Sequence, residues 1–268
     1  MKTILWLLTG LTVGILVFIV GYILVQGLSN VSWEFLIAEP QNMGREGGIF
    51  FTVVSTVYLT AVALIIATPL GVGSAIYLTE YTRESLLTRI IRFGAECLAG
   101  IPSIILGLFG FVLFVMTFRM GWSILSGGLT LAIMILPTII RTSEEALKAV
   151  PYEHREVSFS LGGTKWQTVT QIILPAALPG IFTGIILSIG RSIGETAAVI
   201  FTAGSSLRVP TSLFDPGRTM AVHFYILARE GISMPYAYAT AAILILSILI
   251  VNIMAYSLMQ WFIRRSRA

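Results

Sequence analysis

Within "SIGRSIGETAAVIF", residues 188–201, Arg191 and Glu195 stand in a stretch that is otherwise apolar or small. A guanidinium binds an oxyanion through two parallel N–H groups. Arg191 can therefore receive an anion, and Glu195 can hold Arg191 while no anion is bound. On a helix turning about 100° per residue, Gly180, Gly184, Ser188, Arg191 and Glu195 share a sector of roughly 80°. Phe182, Ile186, Ile189, Ile193 and Ile200 take the opposite side, which suits lipid. Small residues every four positions let another backbone approach, so the charged sector is expected to face protein or a water-filled cavity. Arg191 lies about 18 Å past Pro179, near the middle of a hydrocarbon layer roughly 30 Å thick. An arginine at that depth costs about 2.5 to 3.5 kcal/mol on insertion scales. Arg before Glu is also the weaker order for an i, i+4 pair, so helix stability is a poor reason to keep both charges. The alternative is a pair that merely locks two spans together. Arg141 ends "LPTIIR". It reads either as a snorkelling anchor or, if the fourth and fifth spans are neighbours, as a lining residue of the same route.

Those charges need a membrane around them, and the composition supplies one. Of 268 residues, 56% are hydrophobic and 11% charged, against about 25% charged in soluble domains. Apolar runs long enough to span a bilayer fall at about 4–26, 49–79, 97–118, 123–140, 179–203 and 237–262. The fold class is thus all-α, a polytopic membrane protein with six transmembrane helices. Three segments follow: an N-terminal helix and outer connection over 1–48, a core of five spans over 49–263, and a basic tail at 264–268. The first run follows Lys2 but is too long for a signal h-region and has no small-x-small cleavage site, so it reads as a retained span. Cys97 is the only cysteine and reads as apolar filler.

Six spans put the N-terminus, the second and fourth connections and the C-terminus on one side. That side carries Lys2, Arg83, Arg89, Arg92, Arg141, Lys148, Arg155, Lys165, Arg264, Arg265 and Arg267, and the other carries Arg45, Arg119, Arg208, Arg218 and Arg229. The positive-inside bias places both termini in the cytoplasm. The net charge of +4 reflects this topology and gives no support to a nucleic-acid partner.

Within the spans, "TPLGVG" predicts a kink or break near Pro69. The glycines of "GIPSIILGLFG", Gly100, Gly107 and Gly110, predict close helix packing. The connection at about 141–178 has helical stretches on both sides of Gly162 and Gly163. Its balanced charges and its place between spans argue against a DNA-binding helix-turn-helix. His223, in the outer connection, and His154 are too isolated for a metal site and read as packed or surface residues. No GxxxxGK[ST] cradle occurs, so any ATP used must be bound by another chain.

The connection reads "EVSFSLGGTKWQTVTQIILP" from Glu156 to Pro175. Glu156, Gly162, Ile172, Leu174 and Pro175 fall at the spacing of the cytoplasmic loop signature of bacterial binding-protein-dependent ABC importer permeases, which this chain resembles. Val157 and Ser158 depart from the two alanines of many members. The resemblance implies the type I importer permease fold, with this loop docking on an ATPase. Gly162 and Gly163 permit a sharp turn, and Pro175 is expected to end the second helix before the next span. A hairpin lying on the lipid surface is the alternative. "LAGIPSIILGLFG", "LTLAIMILPTIIRTSEEALKAVP", "LPAALPGI" and "GRSIGETAAVIFTAG" are similar to the phosphate-importer branch, permeases of the PstA type, with the PstC type or another oxyanion importer as runner-up.

That resemblance further implies a bacterial inner-membrane complex of this chain with a PstC-like permease, a PstB-like ATPase dimer and a PstS-like phosphate-binding protein. Inorganic phosphate would be the solute and membrane lipid the surroundings. ATP and Mg would be used by the partner ATPase, with no cofactor bound by this chain. Arg141 and Arg191 match family arginines associated with the phosphate pathway, and alternating access would be driven through the loop. A self-sufficient ion-coupled transporter would show paired broken helices, and the break expected at Pro69 has no twin. An intramembrane enzyme would need a metal cluster or an activated Ser or Cys, which the spans lack.

Overall fold

The computed structural model describes residues 2–266, with side chains through Trp261. The basic tail assigned to 264–268 lies outside the residues whose side chains are described. Helices are α1 (Lys2–Leu28), α2 (Trp33–Ile37), α3 (Phe50–Ile76), α4 (Leu86–Gly100), α5 (Ser103–Gly110), α6 (Ile124–Lys148), α7 (Glu153–Ser160), α8 (Lys165–Thr168), α9 (Leu174–Ile193), α10 (Ala197–Thr202), α11 (Met220–Arg229) and α12 (Met234–Ser266). Wide π turns extend α3 over Tyr77–Tyr81 and α5 over Phe111–Thr117, and a third, Val169–Ile173, joins α8 to α9. A two-residue antiparallel ribbon pairs Pro40–Gln41 with Glu46–Gly47. Among the described residues, five helices are long and apolar enough to cross a membrane, or six if the bent α4–α5 pair is one span.

The core is the seam between α3 and α6. Leu59, Ala63 and Ala67 interleave there with Leu131, Ile135 and Ile139, all buried. A Cβ on Gly71 would stand 2.6 Å from the Ile139 Cγ2, so glycine is what lets the two helices close at that level. α9 lies along the same pair, burying Ala177 and Ile181 against Leu147 and Val150. α1 packs on α12, with Gly27 against Tyr238 and Ala242.

Four expectations change. α3 runs unbroken through Pro69, because its buried neighbours Ala67 and Gly71 hold it on α6 despite one lost hydrogen bond. The third span is a helix, a break and a second helix bent by 103°. Pro102 restricts Ile101 to extended backbone, φ −72°, ψ 130°, and the first limb begins at Leu86, where Arg89 and Arg92 hide it from a hydropathy reading. The fifth span starts at Lys165 and ends at Ile193, short of residue 203. Pro175 does not end a helix. The Leu174 N–H reaches back to the Val169 carbonyl, and this wider turn makes room for a ring that would crowd the carbonyl one ordinary turn earlier.

The glycines of the third span divide. A Cβ on Gly107 would stand 2.7 Å from the Ala198 Cα, and one on Gly110 would strike Thr130, whereas Gly100 has open space.

Candidate functional site: an arginine-bearing face and a helical hairpin

α6 and α9 run antiparallel in contact, which makes the fourth and fifth spans neighbours. Gly180 sits on Ala146 and Gly184 on Thr142. Ser188 is buried and its hydroxyl donates to the Gly184 carbonyl at 2.8 Å. The buried stripe of α9 continues through Ser192 and Ile193. Arg191 flanks that stripe and is exposed, with no ion pair among the described residues. Its sector is therefore narrower than the wheel predicts. Ile193, assigned to the lipid side, is only 6% exposed.

Glu195 is not Arg191's i, i+4 partner. The helix stops at Ile193 with Gly194 as its cap, and a helical period cannot be carried across that stop. The Glu195 carboxylate instead accepts the Ala198 N–H at 3.3 Å, at the positive end of α10, where an anion is favoured. Ile200, counted on the same wheel, belongs to α10. The helix start at Lys165 also removes Pro179 as a depth marker for Arg191.

Arg141 is 70% exposed and its Nε lies 3.4 Å from the Glu145 Oε1. It borders a cleft of about 230 Å³ with Arg92, Glu96, Pro137, Glu144 and Lys148. Within the cleft Glu144 is buried and meets Arg92 at 3.2 Å and Lys148 at 3.7 Å. Thr142 lies level with Gly184, so Arg191 is about 10 Å farther along the seam than Arg141, two helical turns at 1.5 Å per residue. The two arginines share a helix pair and stand at different heights in it.

At the end of the bundle away from Arg191, α7 and α8 form the expected hairpin. Gly162 has φ +81° with open space around its Cβ position, and a Cβ on Gly163 would stand 2.7 Å from the Ser158 Oγ. Glycine is favoured at the first by conformation and required at the second by contact. The Ser158 and Thr168 hydroxyls bond at 2.7 Å across the limbs. Thr164 and Gln167 form a capping box that starts α8. Leu161 (82% exposed), Trp166 and Phe159 stand out around the turn, and Glu156 is exposed beside them. Ile172, on the π turn, and Leu174, at the start of α9, are half-buried and Pro175 is exposed.

Residues 67–268 match the family described as binding-protein-dependent transport system inner membrane component. The chain belongs to this family. Relatives include the phosphate transport system permease protein PstA of Pasteurella multocida, 32% identical over 237 residues, 87% of this chain and 84% of that protein. PstA of Yersinia pestis is 35% identical over 235 residues, 86% and 78%. The probable ABC transporter permease protein YqgI of Bacillus subtilis is 34% identical over 258 residues, 90% and 87%. Among solved structures, a bacterial alginate ABC transporter superposes with TM-score 0.66 at 15% identity, over 98% of this chain and 92% of that one. The inward-facing MetNI methionine ABC transporter gives 0.62 at 18%, over 80% and 94%. These likenesses show the fold of the permease, that of type I ABC importers, and make it a multi-pass membrane protein.

Two groups of functional interest in the permease escaped the sequence reading. Arg155 and Glu80 bond across the base of the hairpin, whereas the sequence shows of Arg155 only its sign. Arg218, 7% exposed, donates to the Ser205 carbonyl at 3.0 Å and faces the His223 Nδ1 at 3.4 Å. Burial, and then the Arg218 charge, push the His223 imidazole down to about 3. His223 is thus a neutral packed residue, edge-on to Phe51, as expected of an isolated histidine.

Proposed function

We propose that this permease is one wall of the translocation pathway of an ATP-driven inorganic phosphate importer. The carrying observation is one continuous helical run, Lys165–Ile193, with an exposed knuckle at its start and an exposed Arg191, unpaired among the described residues, near its far end. Such a run can convey a push at the hairpin to a cation suited to an oxyanion. The PstA names of its relatives supply the solute.

On this reading a PstC-like permease forms the other wall and a PstS-like protein delivers phosphate from outside. A PstB-like ATPase dimer, using ATP and Mg, grips the hairpin. Both termini lie on the cytoplasmic side of a bacterial inner membrane. Arg141 stands at the inner end of the route, with Glu145 as its resting counter-ion.

The test is phosphate uptake by the assembled complex carrying Arg191→Gln. The substitution keeps length and polarity and removes the charge. Uptake is expected to be lost with all subunits still co-purifying; normal phosphate uptake would defeat the assignment. Wild-type complex that imports a different oxyanion and ignores phosphate would favour a relative specific for that ion.

A further inference from the structure

The first limb of the hairpin is fastened to the transmembrane body at one buried point. Arg155, on α7, sets its guanidinium against Glu80 in the π turn that ends α3. Nη2 lies 2.6 Å from Oε1 and Nε 3.3 Å from Oε2, the two-bond arrangement in which a guanidinium fits a carboxylate. The side chains are 12% and 8% exposed. The remaining donors of Arg155 reach the Val150 carbonyl at 2.9 Å and the Leu147 carbonyl at 3.1 Å, at the end of α6. Lys165, which opens the second limb, lies 5.3 Å over the Tyr81 ring. Both limbs therefore touch the same turn of α3.

Exposed ion pairs wander and contribute little. A buried, doubly bonded pair holds one geometry, and removing either partner strands the other charge. The rest of α7 has little grip, since Ser158 is its one buried residue. A displacement applied at the knuckle reaches α9 through continuous helix. It reaches α3 from the first limb through Arg155 and Glu80, and from the second through the cluster that buries Val169 and Ile173 with Ala75.

We propose that Arg155 and Glu80 are positioning residues that make α3 follow the coupling hairpin, so that α3, α6 and α9 move as one body when the ATPase closes. Without the pair the first limb would slip against α3 and less of the stroke would reach it, so hydrolysis would proceed with less opening of the route. The inference rests on the hairpin being the docking element of an ATP-driven importer.

The experiment uses the whole complex in vesicles and reads phosphate imported per ATP hydrolysed, together with the ATPase retained on purification. Glu80→Gln keeps the shape and removes the charge. Arg155→Lys keeps the charge and removes the fork. Each is expected to retain the ATPase and its hydrolysis while the ratio falls roughly tenfold, the scale of a typical coupling between sites. A fall in either variant that assembles supports the proposal, because a merely structural role would lower uptake and hydrolysis together. An unchanged ratio in every assembling variant, or failure of both to assemble, overturns it. Wild-type complex whose uptake ignores ATP would instead strike the underlying reading and leave a different signature.

Discussion

At the scale of single residues, charge in this permease is placed by what surrounds it. His223 is buried against Phe51 and Arg218, and desolvation first, then the neighbouring cation, hold its imidazole down at about 3. In the unfolded chain it titrates near 6.5. Between those values the unfolded state binds a proton that the folded state refuses, so stability is undiminished above pH 6.5 and declines as pH falls toward 3. Replacing His223 with Gln, which can still accept from Arg218, is expected to flatten that decline. Thermal unfolding of the detergent-solubilised complex at pH 7 and pH 5 checks it: the gap between the two midpoints should shrink in the variant, and an unchanged gap would move the titrating group elsewhere. The sequence showed that His223 lacks metal-ligating neighbours, yet it could not show the burial, because Arg218 lies in an irregular loop that no periodicity describes. Arg191 has the opposite history. Its isolation in an apolar run marks it at once, while the partner expected for it, Glu195, lies in the break before the next helix and accepts an N–H of that helix.

At the scale of elements, the hairpin at Gly162 separates two roles that glycine can have. Its φ of +81° disfavours a side chain by about 1–2 kcal/mol, and its open surroundings impose no clash within the chain. Asn tolerates this conformation better than Val. If the bare backbone matters only for folding, Gly162→Asn should behave as wild type and Gly162→Val should be modestly destabilised. If the ATPase groove needs the empty space, both variants should lose ATPase on co-purification. We expect the second result; full ATPase retention by Gly162→Asn would exclude it. The hairpin was legible because its signals are local: turn glycines and a fixed spacing to Pro175. The helix ends were less so. Hydropathy cannot see Gly194 stop α9, since the apolar run continues into α10, nor can it see α4 begin at Leu86, where arginines interrupt the pattern. Pro69 and Pro175 were both over-read as breakers, because tertiary contacts and a π turn absorb what an isolated helix could not.

For the whole molecule, the decisive feature is incompleteness. Arg191 faces outward from the chain, beyond the buried stripe of Ser188 and Ser192, and the α4–α5 limb leaves Leu86, Leu87, Ile90 and Phe93 uncovered. An arginine cannot rest against acyl chains without large cost, so the surface that bears it needs an opposing wall of protein or water. A single copy offers one wall. The chain reconstituted alone in vesicles, with a proton or sodium gradient imposed, is therefore expected to move no phosphate. Adding the second permease and the ATPase, with binding protein outside and ATP supplied on the face that carries the hairpin, should restore uptake. A gradient-driven flux through the chain by itself would mean that its own helices enclose a route, and the reading of Arg191 as half of a shared lining would have to be abandoned.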